Sequence, residues 1–181
     1  LFRSKEYKHN PPHLFVKNEK YFITASTYQK KKFFIQKEAK EYLKNSIIRA
    51  FSEFKWQIDD WVILDNHYHL MVESTDTPVE LVEIIRRIHR FSAIWLKKNF
   101  TEYNALGRIW YNYWDTCVSF EKSYFNRLNY IWFNPVKHGY VEFPEEWEFG
   151  SYFTRAREDD KAMQKIINQY RIDQMKIKDD F

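Results

Sequence analysis

The chain alternates between two hydrophobic periods. Lys20 to Gln29, KYFITASTYQ, mixes aromatic and β-branched residues and predicts a strand, followed by a basic turn at Lys30 to Lys32. From Gln36 to Phe54 the apolar residues Ala39, Leu43, Ile47, Ala50, Phe51 and Phe54 recur at helical spacing, which predicts an amphipathic helix. WQIDDWVILDNHYHLMVEST, Trp56 to Thr75, holds two β-rich runs around Asp65-Asn66, a pair favoured in tight turns, and reads as a hairpin. Pro78 then opens a long second helix to about Phe100, with a buried stripe expected at Leu81, Ile84, Ile85, Ile88, Phe91 and Trp95. IWYNYWDTCVS, after Gly107, is a fourth strand, whose Trp110, Tyr113 and Trp114 are expected to pack rather than to offer a stacking surface. Ser119 with Glu121 makes a helix start, and a third helix should run until Pro135 and Gly139 stop it.

The resulting order is strand, helix, strand, strand, helix, strand, helix. An α+β fold follows, with a ferredoxin-like or RRM-like antiparallel sheet backed by helices. Residues 1–158 are expected to form one domain, and 159–181, which turn charged, a helical appendage. The break at Pro11-Pro12 precedes the first strand. Composition narrows the class further. Aromatics are 20% of 181 residues and glycines number 3, which excludes a low-complexity or disordered chain. The single cysteine, Cys117, excludes an intrachain disulfide and a thiolate-rich zinc site. With no apolar run of membrane-spanning length, a cytoplasmic location is expected. A net charge of +4 permits a polyanionic partner without requiring one.

The candidate chemistry lies in NHYHL. Side chains alternate along a strand, so His67, His69, Met71 and Glu73 share one face, and two imidazoles project about 6 to 7 Å apart. Two ring nitrogens at that spacing can converge on one ion; equally, one ring can cap the turn and the other bond a carbonyl. In the third helix Ser123, Arg127, Tyr130 and Asn134 fall at i, i+4, i+7 and i+11, on one stripe, beside an apolar one of Tyr124, Leu128 and Ile131. If the first stripe faces the histidines, the Asn134 amide oxygen completes a metal shell with the Tyr130 phenol beside it. Taken alone, Tyr130 reads as a core aromatic rather than a functional group, since the chain has 13 tyrosines and helical tyrosines usually pack. Glu73, two repeats along, is too distant to ligate, and His138 reads as a helix end.

NHYHL, YNYWDTCVSFEKSYFNRLNYIWFNPVKHGYV and EEWEFGSY together resemble the single-tyrosine HUH transposases, above all the branch associated with repetitive extragenic palindromes (REP). The similarity runs from about Pro12 to Phe153. It implies that His67 and His69 bind a divalent cation, Mg²⁺ or Mn²⁺, with Asn134, where related branches carry Gln, as the third protein ligand. It further implies that Tyr130 attacks a phosphodiester in single-stranded DNA bearing a hairpin or inverted repeat, forming a 5′-phosphotyrosine and a free 3′-OH for strand transfer. Tyr124 is the alternative nucleophile, six residues too early. DNA contacts are expected from Arg86, Arg90 and Lys97 on the second helix, from Arg127 and Lys137, and from Lys30 to Lys32. The resemblance favours a monomeric active site with the helix in cis over the homodimers of some relatives. A competing reading is a domesticated module that binds hairpin DNA without cleaving it.

Overall fold

The computed structural model describes residues 16–75, 81–158 and 160–170. The expected breaks at Pro11-Pro12 and Pro78, and the chain after Tyr170, lie outside these residues. The elements are β1 (Lys20–Thr27), α1 (Lys37–Glu53), β2 (Gln57–Ile63), β3 (His67–Glu73), α2 (Leu81–Asn99), β4 (Trp110–Val118), α3 (Glu121–Lys137), α4 (Tyr152–Glu158) and α5 (Asp160–Gln169). The four strands form one antiparallel sheet in the order β2-β3-β1-β4, the ferredoxin-like arrangement expected from the element order.

Alternation along the strands gives this sheet two dry faces. Tyr21, Ile23 and Ala25 of β1 and Tyr68, Leu70 and Val72 of β3 pack against the apolar stripes of α1 and α2. Phe22 and Met71 point the other way, onto Leu128, Tyr130, Ile131 and Trp132 of α3. Both histidines lie on this second face, because His69 is paired with Thr24 and His67 with Ser26.

The α2 stripe is rotated from its expected position. Ser92 and Leu96 are buried where Phe91 and Trp95 were expected, and Phe91 is exposed. Ser92 tolerates burial because its hydroxyl donates to the Ile88 carbonyl at 2.7 Å and accepts from Trp110 Nε1 at 2.9 Å.

The third helix has its N-cap at Phe120 rather than at Ser119, and it passes through Pro135 to a C-cap at His138. Proline in the last turn removes one donor at a point where the helix is already closing. The Tyr140 N–H then bonds to the Pro135 carbonyl at 2.9 Å and the Gly139 N–H to that of Val136 at 3.0 Å. This double closure requires a left-handed residue, which Gly139 supplies with φ 70°. The fully buried Asp60 fixes the helix to β2: its carboxylate accepts from Trp132 Nε1 at 2.8 Å and from the Ser151 hydroxyl at 2.6 Å, and pairs with Arg155 at 2.8 Å.

Residues 149–151 line the outer edge of β2, bonding Ile63 and Trp61, so that edge is covered. The helix expected after Asp159 is α5, and it folds back on α3: Asn129 Nδ2 donates to the carbonyls of Ile166 and Tyr170, and Tyr170 stacks on Phe125 at 4.8 Å.

Candidate active site

The site grows from the turn between β2 and β3. Asp65 forms a buried ion pair with Lys40 of α1 at 2.7 Å, the Phe34 N–H bonds to its carbonyl, and the Thr27 N–H bonds to that of Asn66. These contacts pin the start of β3 and therefore His67.

Asn66 also fixes the chemistry of that ring. Its Nδ2 donates to the Lys30 carbonyl at 3.1 Å, so Oδ1 is the atom facing His67 Nδ1 at 2.7 Å. An amide oxygen can only accept, which places the imidazole proton on Nδ1. Burial, with His138 and Lys137 adding to it against an opposing hydrogen bond from Asn134, pushes the His67 pKa down to about 3. The ring is therefore neutral and carries one N–H, leaving Nε2 as a lone pair directed at Asn134 Oδ1, 3.0 Å away.

Two acceptors at that distance repel. Either the amide rotates, so that Nδ2 donates to Nε2, or a cation is held by both atoms. As the residues stand, Asn134 is fully buried and its Nδ2 has no hydrogen-bond partner among the described residues. The chemistry of the pair suits a cation, since an imidazole nitrogen and an amide oxygen can both ligate a divalent ion. His69 is the adjoining donor. Its ring centroid lies 5.1 Å from that of His67, and its Nδ1 meets the Thr24 hydroxyl at 2.8 Å. Burial, then His67, His138 and Lys137, hold His69 well below the usual imidazole pKa. The residues present thus fit a divalent cation with two neutral imidazoles and one amide oxygen. No cluster of three or more His, Cys, Asp or Glu side chains suited to a metal occurs among the described residues, so the amide is needed to complete the set.

Tyr130 stands on the same face. Its ring packs edge-on to His69 at 5.2 Å and to Phe22 at 6.2 Å, all within one chain. The ring is nearly buried, but its hydroxyl accepts a hydrogen bond from Lys137 Nζ at 3.1 Å. Lys137 is itself exposed, so the phenolic oxygen lies at the rim of the apolar interior and not deep within it. Tyr124 lies elsewhere. Its hydroxyl donates to Asp59 at 3.1 Å, near Lys20 at the other end of the sheet, and burial followed by the Asp59 charge raises its pKa further.

Arg127 lies over the Phe22 ring at 5.6 Å, so the stripe from Arg127 through Tyr130 to Asn134 lies on the histidine face of the sheet, and Ser123 joins it through its contact with Arg127. His138 does end the helix, and its ring also rests 4.9 Å from that of His67. Burial, then Lys137 and Lys32, hold the His138 pKa below its ordinary value.

The basic residues of α2 are not brought to this place. Arg86, Arg90 and Lys97 belong to the helix layer on the opposite face of the sheet. There Arg86 pairs with Glu83, Arg90 lies over Phe91, and Lys97 contacts the Gly107 carbonyl. Glu73 is paired with Lys20, away from the histidines. Sequence reasoning missed Thr24 and Asn66, which orient the two rings. Asn66 was visible as a turn residue; Thr24 is linked to His69 only by strand register, which no local pattern reveals.

Residues 15–131 match the family described as "Transposase IS200 like", a span that holds both histidines and Tyr130. The chain belongs to the IS200-like transposase family. Among relatives of this transposase, the REP-associated tyrosine transposase of Escherichia coli (strain K12) is 26% identical over 141 residues, covering 76% of this chain and 79% of that one. A solved REP-associated tyrosine transposase bound to a REP hairpin superposes with a TM-score of 0.65 at 24% identity, over 95% of this chain and 94% of the other, which establishes the shared fold.

Proposed function

We propose that this transposase cleaves and rejoins single-stranded DNA beside a hairpin, with Tyr130 as the nucleophile acting on the same chain's histidine site. The observation that carries this reading is the juxtaposition of one phenol, two neutral imidazoles and a buried amide oxygen on a single face, with the phenolic oxygen held by Lys137. The hairpin is supported by the solved neighbour bound to a REP hairpin and by the REP-associated relatives.

In the reaction the Tyr130 oxygen attacks phosphorus, forming a phosphotyrosine to the 5′ end of one fragment as the bond from phosphorus to the 3′ oxygen of the other breaks. The phenol proton goes to water, and the departing 3′ oxygen takes one up. A free phenol of pKa about 10 is a weak nucleophile, and the Lys137 ammonium, donating to the same oxygen, favours its ionised form. A divalent cation, Mg²⁺ or Mn²⁺, held by His67, His69 and Asn134, would supply Lewis-acid stabilisation of charge on the non-bridging oxygens; two imidazole ligands suit Mn²⁺ better than Mg²⁺. Asn66 and Thr24 keep the rings oriented. Arg127 and Lys137, with Lys30 to Lys32 in the adjoining loop, neutralise the strand's phosphates. Arg86, Arg90 and Lys97 would meet only DNA that reaches the opposite layer.

The test is the covalent adduct. Tyr130→Phe is expected to abolish a denaturation-resistant complex with a labelled hairpin oligonucleotide while leaving binding intact, and Tyr124→Phe to retain it. An adduct that survives Tyr130→Phe overturns the assignment. Wild-type binding with no adduct in Mg²⁺ or Mn²⁺ would instead favour a binding module.

A further inference from the structure

One aromatic cluster lies outside both cores. Trp110 is buried and Tyr113 packs against the α1 and α2 core as expected, but Trp114, expected to pack as well, is 36% exposed. The reason is the β-bulge between β1 and β4: Thr27 opposes Trp110, while Ala25 opposes Tyr113, two residues further on the β1 side and three on the β4 side. The extra residue turns Tyr111 and Trp114 to the same side, where their rings lie 6.1 Å apart. Tyr28, just beyond β1, continues the row at 6.5 Å from Tyr111. Arg108 spans the two tyrosines, 5.6 and 5.4 Å from their ring centres, with its Nε anchored on the Trp110 carbonyl at 2.8 Å.

This row is continuous with the candidate active site. Thr24 is paired on one side with Trp114 and on the other with His69, and directly paired residues share a face. Trp114 therefore sits two strand spacings, about 10 Å, from His69 on the same surface. The surroundings are cationic: Arg108 is joined by the exposed Lys30, Lys31 and Lys32 in the loop after Tyr28.

We propose that Tyr28, Tyr111 and Trp114, with Arg108, form a stacking platform for unpaired bases of the same strand whose phosphodiester reaches Tyr130, an inference that rests on the function proposed above. Aromatic faces interleaved with cations suit a single strand, whose bases offer their π-faces and whose phosphates take the charge. A duplex keeps those faces stacked, so the platform discriminates single strand from stem. A protein partner docking on the apolar rings would leave Arg108 and the lysines without a counter-charge.

The test measures binding in the absence of divalent cation, so that no cleavage intervenes, with two probes: a labelled DNA hairpin with a short unpaired oligothymidine tail and the same hairpin blunt-ended. Wild type is expected to bind the tailed probe more tightly. Trp114→Ala should weaken that binding by about 5- to 150-fold, the range for loss of one stacked base, and leave blunt binding unchanged. Trp114→Phe should restore most of it, and Arg108→Ala should lower the salt slope for the tailed probe by about one. Equal affinity of wild type for the two probes, or a Trp114→Ala variant that binds both as wild type does, overturns the proposal. So does a shift in sedimentation with Trp114→Ala in the absence of DNA, which would assign the rings to contact between copies of the chain. The adduct assay with Tyr130→Phe is read separately, so a failure of the platform is not confused with a failure of the nucleophile.

Discussion

Among the side chains around the histidines, Thr24 carries the sharpest consequence. A metal-binding imidazole needs its second nitrogen held, and the Thr24 hydroxyl is the partner of His69 Nδ1 at 2.8 Å. Thr24→Val keeps shape and β-propensity but removes that partner. It is expected to weaken Mn²⁺ binding, measured by calorimetry, by about 10- to 100-fold, while the circular dichroism spectrum is retained. Unchanged affinity would mean that ring orientation is set by packing against Phe22, which stacks on His69 at 5.5 Å. Thr24 also marks what the sequence conceals. The two histidines and the α3 stripe lie within single elements, so a period of two or of 3.6 places them. Thr24 and Trp114 reach the site through strand pairing and a bulge, which arise from contacts between distant segments.

At the level of elements, the third helix can carry chemistry only if its rotation about its own axis is fixed, and an apolar stripe alone sets that loosely. Asp60 sets it more tightly, through Trp132 Nε1 on α3 together with Ser151 and Arg155. Burial raises the Asp60 carboxyl while Arg155, Ser151 and Trp132 oppose the shift, so the pair persists through compensation. Asp60→Ala leaves the buried Trp132 indole N–H without its acceptor, whereas the half-exposed Arg155 keeps the Asp59 carbonyl and solvent, so the expected cost is about 1 to 3 kcal/mol, read from urea denaturation. A loss under about 1 kcal/mol would show that α3 is held by its apolar contacts alone. The existence and order of β1 to α3 were legible because each element has a strong hydrophobic period. The rotation of α2 was not: Ser92 enters the core through hydrogen bonds to Ile88 and Trp110, a compensation that hydrophobicity cannot register. For the same reason the α2 cations, which follow a clear stripe, gave no sign that the sheet separates them from the histidines.

On the scale of the whole molecule, burying neutral imidazoles in both layers makes acid the natural denaturant. His67 and His69 lie under α3, whereas His89 lies on the other side of the sheet, stacked on Trp110 at 4.3 Å and bonded to the Tyr68 hydroxyl at 3.0 Å. Burial holds His67 and His89 at about 3 and His69 in the same direction. In the unfolded chain these groups titrate near 6.5. Between about pH 6.5 and 3 the unfolded state therefore binds protons that the folded state does not, and stability falls as pH falls, by up to about 1.4 kcal/mol per pH unit for each histidine. Asp60, its carboxyl raised from 3.8, acts in the opposite sense from about pH 4 upward, one group against three. With an ordinary stability of about 5 to 15 kcal/mol, three histidines remove up to about 6 kcal/mol by pH 5 and more below it, so the chain is expected to unfold between about pH 5 and 3. Near-ultraviolet circular dichroism across pH 7 to 4 should show a cooperative loss of signal, steeper than a single proton explains. His89→Leu, remote from the candidate active site, should reduce the proton number by about one. A melting temperature that stays constant from pH 7 to 5 would mean that these rings gain protons within the fold, and with that the lone pair assigned to His67 Nε2 would be lost as well.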